Sequence, residues 1–212
     1  MIDSSYERRM DGKEGAFCEN GRLSGSMNLF ELLFLFVTIL WIGEFALFRN
    51  HHSTKGGGEA ERRSFPIILI TVLLAVCATL IMREWNFGIL SIRWVWWVGL
   101  LIYAAGVWLR YWGIMHLKDQ FTRDVSVKKG DKLVSTGPYR WLRHPLYTGL
   151  FSIIIGFCLG VGNIYTAFVC GALVASALLH RIRLEEAMLV EEHGEKYKDW
   201  CRRRYRLIPF VY

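Results

Sequence analysis

The chain has 212 residues and a formal net charge of +7, and 53% of it is hydrophobic, with nine tryptophans and thirteen phenylalanines. That apolar share exceeds what a water-soluble domain of this length carries, and it is concentrated in blocks, which excludes an ordinary soluble fold. The basic residues lie between those blocks and form no continuous basic face, so the charge points to membrane topology and not to nucleic acid.

Five apolar runs stand out, at 28–48, 65–82, 94–113, 146–161 and 164–180. All but the fourth are close to the roughly 20 residues that cross a hydrocarbon core as a helix. Period-2 alternation is absent, and in lipid a helix satisfies its own backbone. The reading is an all-α polytopic membrane protein of about five transmembrane helices. It divides into a loosely ordered segment 1–26, three spans within 27–113, and a second half at 114–212.

Residues 1–26 are polar and charged, so they do not read as a signal peptide. The first span carries Glu31 and Glu44 and the third carries Arg110. All three lie near span ends, where ionisable side chains snorkel to the interface, so structural roles are expected. The linker at 49–63 contains His51-His52 and Gly56–Gly58; adjacent positions on a helix diverge and no further ligand is spaced around them, which argues against metal. Tryptophans at both ends of the third span, among them Trp94, Trp97, Trp108 and Trp112, read as interfacial belts.

The loop running from 114 to 144 holds Asp119, Arg123, Asp124 and a lysine-rich turn. It is too long for a plain connector and is expected to fold over a site as a partial lid. It ends in Leu133-Val134-Ser135-Thr136-Gly137-Pro138-Tyr139-Arg140-Trp141-Leu142-Arg143-His144-Pro145-Leu146-Tyr147-Thr148-Gly149. Pro145 has its φ preset for a first helical turn, which places Arg143 and His144 at a helix entrance. Unsatisfied N–H groups and the positive dipole end make such an entrance suited to a carboxylate.

Gly160, Gly162 and Asn163 separate the last two runs and predict a tight helical hairpin, and Gly156-x-x-x-Gly160 predicts close helix–helix approach. The fifth helix should continue past the apolar run through Arg181, Arg183, Glu185 and Glu186 until Gly194 stops it. Arg181 and Glu185 share one face of that helix. The apolar ending 205–212 is expected to dock back onto the membrane face or the site. Cys77, Cys158 and Cys170 read as buried filler; without a C-x-x-C pair or a ligand cluster, neither a disulfide nor a metal is expected.

Loops between the spans fall into two sets, holding 20 and 6 of the lysines and arginines. The richer set contains 110–145 and the residues after the fifth span, which puts them in the cytoplasm and the N-terminus outside.

The run Lys132-Leu133-Val134-x-x-Gly137-x-Tyr139-x-x-x-Arg143-His144-Pro145-x-Tyr147-x-Gly149, two spans, then Arg181-x-x-x-Glu185-Glu186 and a Pro-Phe ending resembles the isoprenylcysteine carboxyl methyltransferase family. The resemblance covers about the last hundred residues and is closest to compact prokaryotic members. It implies an integral-membrane enzyme that uses S-adenosylmethionine, with a lipid-like acceptor entering from the bilayer, in the plasma membrane of a prokaryote. Carried over by position, the cofactor shell would be Leu133, Val134, Gly137, Tyr139, His144, Pro145, Tyr147, Glu185 and Glu186. Arg181, with Arg183 as a second candidate, would face the acceptor carboxylate. Carboxyl methylation is the family-level expectation. O-methylation of a ring hydroxyl on an alkylpyrone or alkylresorcinol lipid, phospholipid N-methylation and an NADPH-dependent sterol-type reduction stay open as alternatives.

Overall fold

A computed structural model describes residues 27–48, 59–90, 92–117 and 133–207, with backbone only at 59–64. Segment 1–26, the His51-His52 pair, the Gly56–Gly58 linker, residues 118–132 of the expected lid and residues 208–212 lie outside the described residues.

Among the described residues every regular element is helical: α1 Leu29–Leu47, α2 Glu59–Glu84, α3 Arg93–Leu117, a 3-10 turn at Gly137–Arg140, α4 Pro145–Gly160, α5 Ile164–His193 and α6 Glu195–Arg202. Four helical stretches, Leu29–Leu47, Phe65–Glu84, Arg93–Leu117 and Ile164–His193, are long and apolar enough to cross a membrane, and α4 is a shorter apolar helix. The protein is integral to the membrane and passes through it several times. Large apolar side chains such as Phe36, Ile42, Leu74 and Phe168 are exposed, as lipid-facing residues are.

The chain divides into two compact units, residues 1–32 and 33–212. In the first, the described residues are the opening of α1, where the Asn28 N–H donates to the Glu31 carboxylate at 3.1 Å. The remaining described residues belong to the second.

With 16 residues α4 is only about 24 Å long, shorter than the bilayer core. It is nonetheless deeply buried, with Ile153, Ile154 and Cys158 at 0–1% exposure, because it packs between α3 and α5. Glycines permit that approach. A Cβ on Gly156 would lie 2.3 Å from the Tyr103 backbone N, and one on Gly106 would lie 2.7 Å from the Gly149 carbonyl. The expected hairpin between α4 and α5 is present. Gly162 takes φ +88°, and Asn163 caps α5 by accepting from Thr166 N–H at 3.0 Å while donating to the Phe87 carbonyl at 2.7 Å.

Some expectations shift. The third helix runs on to Leu117, four residues past the expected end, because Ile114 is still buried against the bundle. Cys158 and Cys170 are buried, but Cys77 is exposed on α2, so it fills no core position. Glu44 and Arg110 do not snorkel. Arg110 Nε donates to Glu44 Oε2 at 2.6 Å, its Nη2 pairs with Glu44 Oε1, and its Nη1 donates to the Leu146 carbonyl at 3.2 Å. The pair therefore ties α1 and α3 to the first turn of α4.

Candidate active site

The site forms where α4 begins and where α5 leaves its apolar stretch. Gly137 starts the 3-10 turn at φ +57°, and a Cβ there would lie 2.5 Å from the His116 ring. The turn buries Pro138 and Tyr139 and delivers the chain to His144, the residue that precedes α4. Burial and, after it, the Glu185 charge push the Tyr139 hydroxyl well above its ordinary range, so it stays neutral. On the other side, α5 is one unbroken helix of 30 residues. Its charged end carries Arg181, Glu185 and Glu186 down to the level of His144.

These four and Tyr147 of α4 meet. Arg181 is 4% exposed, and its Nε donates to the Tyr147 hydroxyl at 2.8 Å. The same hydroxyl donates to Glu185 Oε2 at 2.8 Å, so one phenol bridges the arginine and the glutamate a turn apart on α5. The His144 ring stacks on Tyr147 with centroids 5.6 Å apart. Its Nδ1 lies 3.8 Å from Glu185 Oε2 and its Nε2 lies 3.2 Å from Glu186 Oε1.

Leu133 and Val134 lead into the turn half-buried, and Pro145 is buried at the start of α4. Arg183 is exposed. Two residues on a helix are about 200° apart, so Arg181 and Arg183 cannot serve the same face.

The sequence reading missed three participants. Arg143 was seen only as part of the entrance, yet its Nε donates to the Arg204 carbonyl and its Nη2 to the Cys201 carbonyl, both at 3.0 Å. Arg206 pairs with Glu186. His116 packs on Gly137 with its Nδ1 2.9 Å from the Trp112 carbonyl. Proximity of Arg143 to the motif was a usable signal, and the expected docking of 205–212 was one for Arg206; His116 had none. The expected docking of the ending holds for its described part, since Tyr205 exchanges backbone hydrogen bonds with Trp141 and Arg143 at 2.9 and 2.8 Å.

The arrangement offers a buried guanidinium, a carboxylate about a third exposed, and an imidazole at a helix entrance. Such a set can hold one ligand bearing an ammonium or hydroxyls and another bearing a carboxylate. Among the described residues no group of three or more His, Cys, Asp or Glu could hold a metal ion.

Residues 97–191 match the model of the isoprenylcysteine carboxyl methyltransferase (ICMT) family. A protein-S-isoprenylcysteine O-methyltransferase of Mus musculus is 32% identical over 123 residues, which is 57% of this chain and 44% of that protein. The uncharacterized protein YpbQ of Bacillus subtilis is 33% identical over 101 residues, 45% of this chain and 58% of that protein. The solved structure of a eukaryotic intramembrane Ras methyltransferase ICMT superposes with a TM-score of 0.64 at 24% identity, covering 86% of this chain and 65% of that one. The fold is shared. This chain spans less than half the length of the mouse relative.

Proposed function

We propose, from the match of residues 97–191 to the model of the isoprenylcysteine carboxyl methyltransferase family, that the protein transfers a methyl group from S-adenosylmethionine to the carboxylate of a prenylcysteine-like acceptor held in the bilayer. The observation that carries this reading is the meeting of His144, Tyr147, Arg181, Glu185 and Glu186 at one helix entrance.

The residues fit the donor's chemistry. Glu185 keeps about 30% of its side chain exposed and suits an ammonium or ribose hydroxyls, while the α4 entrance at His144 suits a carboxylate. When bound, S-adenosylmethionine supplies an electrophilic methyl group on a sulfonium. Arg181 would hold the acceptor carboxylate, with Tyr147 fixing the guanidinium through Nε. A carboxylate with an ordinary pKa of about 3.3–3.7 is ionised at neutral pH, so no residue need act as general base. The protein's task is alignment and exclusion of water, which a buried arginine beside a helix entrance serves. From the distribution of lysine and arginine, we further read the site as cytoplasmic and the N-terminus as external.

The test is calorimetric titration of the purified protein in lipid nanodiscs with S-adenosylmethionine and, separately, with NADPH. Labelled donor is then incubated with a farnesylcysteine acceptor. Micromolar donor binding and a base-labile labelled methyl ester are expected. Tight NADPH binding without S-adenosylmethionine binding, or a base-stable methyl product, would refute the assignment.

A further inference from the structure

Glu185 and Glu186 are adjacent and alike in sequence, and the resemblance assigns both to the cofactor, yet their surroundings differ. The side chain of Glu186 is 14% exposed against 30% for Glu185. Its Oε1 accepts from His144 Nε2 at 3.2 Å and from Arg143 Nη1 at 3.4 Å, and its Oε2 pairs with Arg206. Two guanidiniums and an imidazole on one carboxylate leave little acceptor capacity for the ammonium or hydroxyls of a ligand. Glu185, by contrast, meets the Tyr147 hydroxyl and the far nitrogen of His144.

What Glu186 holds is the chain that follows α6. Arg143 donates to the Cys201 carbonyl in the last turn of that helix and to the Arg204 carbonyl just beyond it. Arg204 Nε donates to the Tyr139 carbonyl at 2.7 Å, and the Thr148 hydroxyl donates to the Leu207 carbonyl at 2.6 Å. With the Tyr205 backbone on Trp141 and Arg143, residues 201–207 grip the stretch 139–148 along its whole length. That stretch contains Tyr139, His144 and Tyr147, and Glu186 is the point at which α5 joins the grip.

We propose that Glu186 and Arg206 are a positioning pair, a clamp that closes residues 201–207 onto the helix entrance and fixes the wall of the donor site, so that of the two glutamates Glu185 alone meets the donor. This rests on the function proposed above. Opening the clamp frees the His144 ring, which Glu186 holds by Nε2, and with it the wall that His144 and Tyr147 make by stacking. Donor affinity then falls although neither clamp residue touches the donor.

Cys201 is a reporter that needs no donor. It is half-buried in the last turn of α6, its carbonyl held by Arg143, and burial pushes its thiol up, so alkylation in the closed state is slow. The full chain in nanodiscs is treated with a maleimide without donor, and modification is read on the Cys201 peptide by mass spectrometry. Donor affinity is measured by titration with S-adenosylmethionine. Glu186→Gln and Arg206→Gln should each speed alkylation about tenfold and weaken donor binding by a similar factor, the order set by one lost charged hydrogen bond. The double variant should match Glu186→Gln, because that substitution already removes the partner of Arg206. Glu185→Gln should leave Cys201 at its original rate, and combined with Arg206→Gln its loss of donor affinity should multiply. Arg206→Lys, which keeps the charge, should restore much of the protection. An unchanged Cys201 rate in Arg206→Gln overturns the clamp, as does a multiplicative loss of affinity in Glu186→Gln/Arg206→Gln. If the unaltered protein binds no S-adenosylmethionine, the proposed function fails while the alkylation rates still decide the clamp.

Discussion

Glu44→Leu tests how the membrane half supports the site. Glu44 is 1% exposed and the Arg110 side chain 13%, and two hydrogen bonds join them inside the bundle. Removing the acid alone leaves a guanidinium buried without its counter-charge, which costs about 3–5 kcal/mol. Replacing both partners by apolar groups avoids that penalty. The double variant Glu44→Leu/Arg110→Met loses chiefly the Arg110 hydrogen bond to the Leu146 carbonyl, worth about 1–2 kcal/mol. The double should therefore be more stable than Glu44→Leu by about 2 kcal/mol. Denaturant-driven unfolding of the detergent-solubilised protein, followed by tryptophan fluorescence, gives the four free energies of the parent, Glu44→Leu, Arg110→Met and the double variant. Because Leu146 lies in the first turn of α4, Glu44→Leu should also weaken donor binding at the His144 entrance. A cost below about 1 kcal/mol for Glu44→Leu, or a double variant as unstable as the sum of its singles, would refute the pairing as a buried tie.

Gly156→Val should disrupt the bundle far more than Gly194→Ala. The added Cβ at 156 meets backbone of α3 at 2.3 Å, an overpacking that costs about 3 kcal/mol or more. At 194 nothing lies within 4 Å, and only the backbone conformation, φ +54° with ψ −130°, opposes a side chain, at about 1–3 kcal/mol, so thermal melts should rank Gly156→Val as the less stable. Arg181→Ala should raise the acceptor KM about a hundredfold or abolish turnover, the scale of losing a buried charged contact, while exposed Arg183→Ala should leave KM within about twofold. Equal effects at 181 and 183 would remove the distinction drawn from their exposure.

Much of the architecture was legible because apolar length and glycine spacing are local signals. The hairpin at 160–163, the continuous α5 and the stop at Gly194 all follow from residues close in sequence. Pairings across the chain left no such trace. Glu44 and Arg110 each sit near a span end, where snorkelling is the ordinary outcome, and only the packing of α1 beside α3 turns them toward one another. The same holds for Tyr147: sequence puts Arg181 and Glu185 on one face of α5, but not the phenol of another helix between them.

The two glutamates show why a motif under-determines its own chemistry. Consecutive residues on a helix point about 100° apart, so a Glu-Glu pair necessarily addresses two environments. Here one direction leads toward Tyr147 and the other toward Arg143 and Arg206. The second environment is built by residues 201–206, whose basic character in sequence reads equally well as membrane-surface charge. A carboxylate meeting two guanidiniums there is tied to structure, whereas its partly exposed neighbour retains capacity for a ligand. Division of labour between Glu185 and Glu186 is thus a consequence of helix geometry and of where the chain beyond α6 returns, and the resemblance of the motif alone cannot express it.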